Sequence, residues 1–363
     1  MGWTCGIVGL PNAGKTTIFN ALTASHAEVA AYPFTTINPN TGVVSVPDPR
    51  LARLGEMLKP QRLTPTAIEF IDVAGLIAGA SRGEGLGNQF LALIREVDLL
   101  VHVVRCFADG KCPHPLGDLD PVRDVEIVET ELFLADLEIL GRQRVKIEKR
   151  AKGGDKAASA ALSTLARVEE GLNRGRWARD LNLTPAEQEH LKGVALLTLK
   201  PYLFVANLSE EEFPDGRHYF ALKELARVRG VPLIPILGDL EAELHELPEE
   251  ERREFLTPLG IEETGIARLI RESHRLLGLV TFYTIVGPEV RAWNVPAGTT
   301  APRAAGQVHS DMEKGFIRAE VMSFEDLAHL GSPTRVKEAG RLHVEGRDYL
   351  VQDGEILLFR FQR

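Results

Sequence analysis

Gly9-Leu10-Pro11-Asn12-Ala13-Gly14-Lys15-Thr16 follows the pattern G-x-x-x-x-G-K-[ST]. An apolar run, Cys5 to Val8, precedes it, and a helix-forming run, Thr17 to Leu22, follows. Strand, glycine loop and helix in that order make a phosphate-binding loop. Glycine lets the backbone curl, so that consecutive N–H groups converge on a phosphate at the start of the helix. Lys15 adds a point charge near the outer phosphates, and the Thr16 hydroxyl can ligate Mg2+. The stretch predicts a bound nucleoside triphosphate and an α/β fold with a parallel-sheet core.

The chain is long enough, at 363 residues, for two or three domains. With 44% hydrophobic and 26% charged residues it has the balance of an ordinary soluble protein. A net charge of −9 means that any contact with nucleic acid must come from a local patch. No apolar stretch approaches the roughly 20 residues of a membrane span. Met1-Gly2-Trp3-Thr4 lacks the layout of a secretion signal. Cys5, Cys106 and Cys112 form neither an even disulfide set nor a zinc pattern. A cytoplasmic chain with reduced thiols is expected.

Downstream, Tyr32 to Asn40 reads as a loop, and Thr36 within it can complete the Mg2+ shell when a γ-phosphate is present. Ala67 to Ile71 reads as a strand that ends in Asp72-Val73-Ala74-Gly75. An acid there suits a role in holding Mg2+, often through water, and Gly75 offers an unobstructed N–H to the γ-phosphate. Switch GTPases commonly carry Gln at the next position to orient the attacking water; this chain has Leu76. The glycine-dense run Gly79 to Gln89 reads as a second switch loop. Leu99 to Val104 is a third, buried strand, and His102 within it reads as a core or rim histidine. His114, in the loop Cys112-Pro113-His114-Pro115, is a candidate to bring a polar group to the γ-phosphate.

Val128, Leu132, Ala135 and Ile139 recur at helical spacing, as do Leu162, Leu165, Val168 and Leu172. Arg150 to Lys156 between them is a polar glycine turn, so the pair reads as an antiparallel helical hairpin. From Arg142 to Arg179 eleven Lys/Arg stand against four Asp/Glu, a local +7. Such a face is either a solvated surface or a basic projection that meets RNA phosphates. The strand-like run Pro201 to Ala206 ends in Asn207-Leu208-Ser209-Glu210, where guanine readers carry N-K-x-D. The displaced carboxylate of Glu210 and the apolar Leu208 remove the reason to prefer guanine, which predicts ATP over GTP. Val231 to Leu237 supplies another strand, and its prolines suggest a sheet edge. From Gly278, two β-rich runs joined by Gly287-Pro288, a helical run from Ala301 to Met312, and a strand, Asp-Gly turn and strand over Tyr349 to Phe361 predict a small α+β module.

Taken together, NAGKTT, YPFTTINPN, DVAGL, GASRGEGLGNQFL, VHVVRCF and NLSE closely resemble the YchF (Obg-like) ATPase family of P-loop proteins, over nearly the whole chain. The C-terminal segments RAW, GTTAPRAAGQVHSDMEKGFIRAEV and VQDGEILLFRF resemble a TGS domain. The resemblance implies a G-domain over residues 1–124 and 201–277, an inserted helical coiled coil over 125–200 and a β-grasp TGS domain over 278–363. It implies slow ATP hydrolysis in association with ribosomes, through the basic hairpin and the TGS domain, by a monomer with no membrane partner. By motif position, Asn12, Ala13, Gly14, Lys15, Thr16 and Thr17 wrap the phosphates, Thr16 and Thr36 ligate Mg2+, and Asn207, Leu208 and Glu210 form the base-side edge. Leu76 marks a group whose usual catalytic Gln is hydrophobic, and His114 occupies the place of a family loop histidine. Lys15 is the charge-neutralising residue, with His114 or K+ as further catalytic help. The competing readings are a guanine-nucleotide switch GTPase and a ribosome-binding module in which ATP is a structural ligand.

Overall fold

Apolar runs become the strands of a central sheet. In chain order these are β1 (Trp3–Val8), β2 (Thr41–Ser45), β4 (Ala67–Asp72), β5 (Leu99–Arg105), β6 (Tyr202–Leu208) and β7 (Leu233–Leu237), with the short β3 (Arg62–Thr64) falling between β2 and β4. The computed structural model describes residues 2–24, 40–73, 86–109, 112–238, 240, 241, 244, 251 and 263–362, with the backbone alone for 86–89. Thr36, Gly75, Leu76 and residues 79–85 of the expected second switch loop lie outside the described residues, while Leu86 to Gln89 of that run open the helix Leu86–Glu96 instead of continuing a loop.

The sheet order is β2-β4-β1-β5-β6-β7, and β1, β5, β6 and β7 are parallel. β5 and β6 are buried along their whole length, as interior parallel strands must be. β7 is the edge strand, where its proline leaves no interior ladder bond unmade. Two helices follow the first strands. α1 (Lys15–Ala24) begins directly at the phosphate loop, and α2 (Pro49–Leu58) is capped by the Asp48 carboxylate, which accepts from the Arg50 N–H.

The chain divides into two compact units. One holds Met1–Val43 and Glu69–Leu269; the other holds Val44–Ile68 and Ile270–Arg363. The boundaries that the resemblance implied put residues 44–68 in the G-domain, whereas here they group with the C-terminal module.

In the first unit, α3 (Leu86–Glu96) precedes β5, and the helical hairpin follows it as α4 (Pro121–Lys152) and α5 (Lys156–Asn173). Val128, Leu132, Ala135, Leu165, Val168 and Leu172 are buried in one core with Trp177, Tyr202 and Phe204. The Trp177 ring stacks on Tyr202 at 3.9 Å, with 6° between the planes, and donates to Glu129. Asp136 is fully buried, yet it accepts from the N–H groups of Leu197 and Thr198 and from the Thr198 hydroxyl. Those bonds satisfy a carboxylate that burial would otherwise make costly. They fasten the return of the hairpin to the strands.

In the second unit, β8 (Leu279–Val286) and β9 (Glu289–Pro296) form the expected hairpin. β10 (Phe316–Ser323), β11 (His343–Glu345) and β12 (Glu355–Phe361) complete a sheet ordered β11-β10-β12-β8-β9-β3. Alternation sends Phe282 into one core and Tyr283 into the other, where Tyr283 meets Leu51 and Leu54 of α2. Two expectations fail in detail. The helical run breaks at His309, whose backbone is extended, into Ala301–Val308 and Ser310–Lys314. Tyr349 to Val351 is no strand: Leu350 makes an isolated bridge to Thr300, and the Val351 N–H bonds the Thr299 carbonyl.

Candidate functional site

The phosphate loop leaves β1 at Gly9 and closes on Lys15, the first residue of α1. Asn12 adopts φ 62° and Gly14 φ 88°. A Cβ at position 14 would lie 2.0 Å from the side-chain nitrogen of Asn207, so both conformation and space demand glycine there. Asn207, buried near the end of β6, donates through Nδ2 to the Ala13 carbonyl at 3.1 Å. The strand end and the loop are thereby joined.

Lys15 is buried, and its ammonium donates to the Leu10 carbonyl at 2.9 Å. Burial lowers its pKa, and the Asp72 carboxylate opposes that shift. An ammonium has three donors, so further donors remain for phosphate oxygens. Thr16 donates from its hydroxyl to Asp72 Oδ2 at 2.8 Å. Both are hard oxygen donors of the kind Mg2+ prefers, so the pair fits that ion.

A cavity of about 390 Å³ opens beside the loop. Asn12 and residues 14–17 line one part of it; Phe107, Asp109 and Cys112 line another; Asn207, Leu208, Ser209 and Gly238 complete it. The structure thus brings together the phosphate-loop residues with Asn207 and Leu208. Glu210 is exposed and lies outside the lining. Thr36 and Gly75 lie outside the described residues.

His114 stands apart from this cavity. Its Nδ1 accepts from the Leu116 N–H at 3.2 Å, which leaves Nε2–H to donate to Asp124 Oδ2 at 2.7 Å. The ring and Asp124 stand instead beside Leu10, Pro11 and His102. His102 is buried edge-on against Phe204, and burial, with the charges of Lys15 and Arg229, lowers its pKa to about 3. It is a neutral core histidine, as its place in an apolar strand suggested.

Sequence reasoning missed Arg105, Phe107, Asp109 and Cys112. Their position was the available signal: they follow the carboxyl end of a central parallel strand, where ligands of open α/β sheets bind.

Comparisons with known proteins agree with this fold. Residues 279–362 match the YchF-GTPase C-terminal family model, described as a protein of unknown function (DUF933), and residues 4–135 match a model described as a 50S ribosome-binding GTPase. The chain is 49% identical over 361 residues to the ribosome-binding ATPase YchF of Haemophilus influenzae, covering 99% of each chain. It is 46% identical to the protein of that name from Bacillus subtilis, covering 99% of this chain and 100% of the relative. The solved structure of the Schizosaccharomyces pombe YchF GTPase superposes with a TM-score of 0.90 at 33% identity, covering 99% of this chain and 98% of the other.

Proposed function

The chain belongs to the YchF family, and on that premise we propose that it is a ribosome-associated ATPase that hydrolyses ATP slowly, in preference to GTP, as a nucleotide-dependent regulator of translation or stress. The observation that carries the ATP reading is the cavity wall at the end of β6. Leu208 and Ser209 line it, while the Glu210 carboxylate is exposed outside it. A guanine reader needs an acid there to accept from N1–H and the exocyclic amine; an apolar side chain leaves those donors unpaired.

The chemistry is in-line attack of water on the γ-phosphoryl group. Lys15 would offer its remaining N–H donors to phosphate oxygens, and the loop N–H groups would neutralise developing charge. Mg2+ would supply further charge neutralisation, held by Thr16 and, as candidate, Thr36, with Asp72 behind Thr16. His114 can help only after its ring leaves Asp124. A K+ ion is the alternative helper. The basic hairpin and the C-terminal module, read as a TGS domain, would meet ribosomal RNA, with the chain acting as a monomer. Among the described residues no helix is long and apolar enough to cross a membrane.

The guanine-nucleotide reading has one specific support: Asp109, a carboxylate, also lines the cavity. Competitive titration decides between them. Tighter ATP than GTP binding is expected, and the reverse order would overturn the ATP preference. Single-turnover hydrolysis with and without ribosomes separates a catalyst from a binding module, since the module would not turn over in either case.

A further inference from the structure

Arg105 ends β5 and is only 2% exposed. A guanidinium taken out of water must find acceptors nearby. Two of them are backbone carbonyls: Nη1 donates to Asn12 O at 3.3 Å and Nε to Phe107 O at 3.0 Å. The same guanidinium lies over the Phe107 ring, 4.6 Å from its centroid, in a cation–π contact. Asn12 and Phe107 both line the nucleotide cavity, and Arg105 does not.

Asn12 is a non-glycine residue at φ 62°, a left-handed conformation that asparagine tolerates better than most residues, and local bonds hold it there. Two bonds do so. Arg105 takes its carbonyl, and its side-chain Nδ2 donates to the Pro113 carbonyl at 3.2 Å. Without the Arg105 bond, the carbonyl side of the peptide between Asn12 and Ala13 loses its donor, and the N–H groups that follow lose part of their aim. Ordering them would then be charged against nucleotide binding.

We infer that Arg105 is a positioning residue for the nucleotide. It sets the Asn12 peptide and the Phe107 ring before the ligand arrives, without touching the ligand itself. The inference rests on the ATP-binding reading above and deepens it. Lysine cannot replace it: a single ammonium lacks the planar fork that reaches both carbonyls while stacking on the ring.

Calorimetric titration of the full chain with ATP and Mg2+, paired with melting curves without nucleotide, tests this. Arg105→Met should bind ATP on the order of tenfold more weakly, with Arg105→Lys between it and the wild type. If Arg105→Met does not fold, Arg105→Lys carries the test. A purely structural arginine would lower the melting temperature and leave the dissociation constant of the folded chain unchanged. Binding within about twofold of wild type in folded Arg105→Lys overturns the inference, the difference being too small for a lost charged hydrogen bond. A wild-type chain that binds no ATP instead overturns the ATP reading, and this inference with it.

Discussion

The side-chain amide of Asn207 donates to the main-chain carbonyl of Ala13 across 3.1 Å, joining residues 194 apart in sequence. The bond is buried, so its loss would leave a carbonyl without a donor in a dry place. Asn207→Ala should therefore weaken ATP binding by roughly tenfold, read by calorimetry. Gly14→Ala should abolish binding, because its Cβ would stand 2.0 Å from that same amide. An Asn207→Ala variant that binds ATP as tightly as wild type would show that the loop keeps its shape unaided.

His102 predicts a pH dependence of stability. Burial, then the Lys15 and Arg229 charges, depress its folded-state pKa to about 3, while an unfolded histidine titrates near 6.5. Between those values the unfolded chain binds the extra proton, so stability falls as pH drops through that window. At pH 5 the loss from this group is about 2 kcal/mol. Denaturant titrations from pH 7 to pH 4 should show a shallower acid slope for His102→Gln than for wild type. Parallel slopes would mean that His102 does not carry the effect.

Much of this architecture was legible because burial writes itself into composition. Leu99 to Val104 is apolar nearly throughout and became a strand buried along its length; Pro232 and Pro235 marked an edge strand. What stayed hidden depends on partners distant in sequence. The spacing of Leu51 and Leu54 says that a helix face is buried, but not that it packs with Tyr283 and Ile356. Arg105 resembles any arginine at a strand end until its contact with Asn12, 93 residues away, is seen. Tyr349 to Val351 has strand composition, yet its N–H groups find loop carbonyls instead of a ladder. For the site, the phosphate loop was readable because glycine has few substitutes at φ 88°, whereas the Phe107 wall has no comparable constraint.

His114 and Asp124 supply a prediction in two directions. With its ring bonded to Asp124 at 2.7 Å, His114 must break that bond before it can approach a γ-phosphate. If it acts in hydrolysis, His114→Ala should lower kcat by on the order of tenfold or more and spare ATP affinity. Asp124→Asn weakens the charge-assisted bond that restrains the ring, so it should raise turnover several-fold in the same assay. Turnover unchanged in both variants would remove His114 from the mechanism and leave the pair a structural bond.

The hairpin's excess of positive charge is not all available to a partner. Arg144 is paired with Glu169 at 2.9 Å and Arg150 with Asp155 at 3.0 Å, so these arginines help hold the two helices or their turn. Lys146 and Lys149 carry no ion pair among the described residues. With Lys152 and Lys156, which likewise carry no ion pair among the described residues, they can meet phosphates without first giving up an internal partner. Lys146→Glu combined with Lys149→Glu should weaken ribosome association at least tenfold at low salt, and reduce the slope of log affinity against log salt by about two. Melting of the isolated chain should stay near wild type, since no ion pair is lost. Arg144→Glu, in contrast, should lower the melting temperature by placing like charges beside Glu169. Co-sedimentation with ribosomes across a salt series reads the first effect. An unchanged slope in the double variant would assign the contact to another surface.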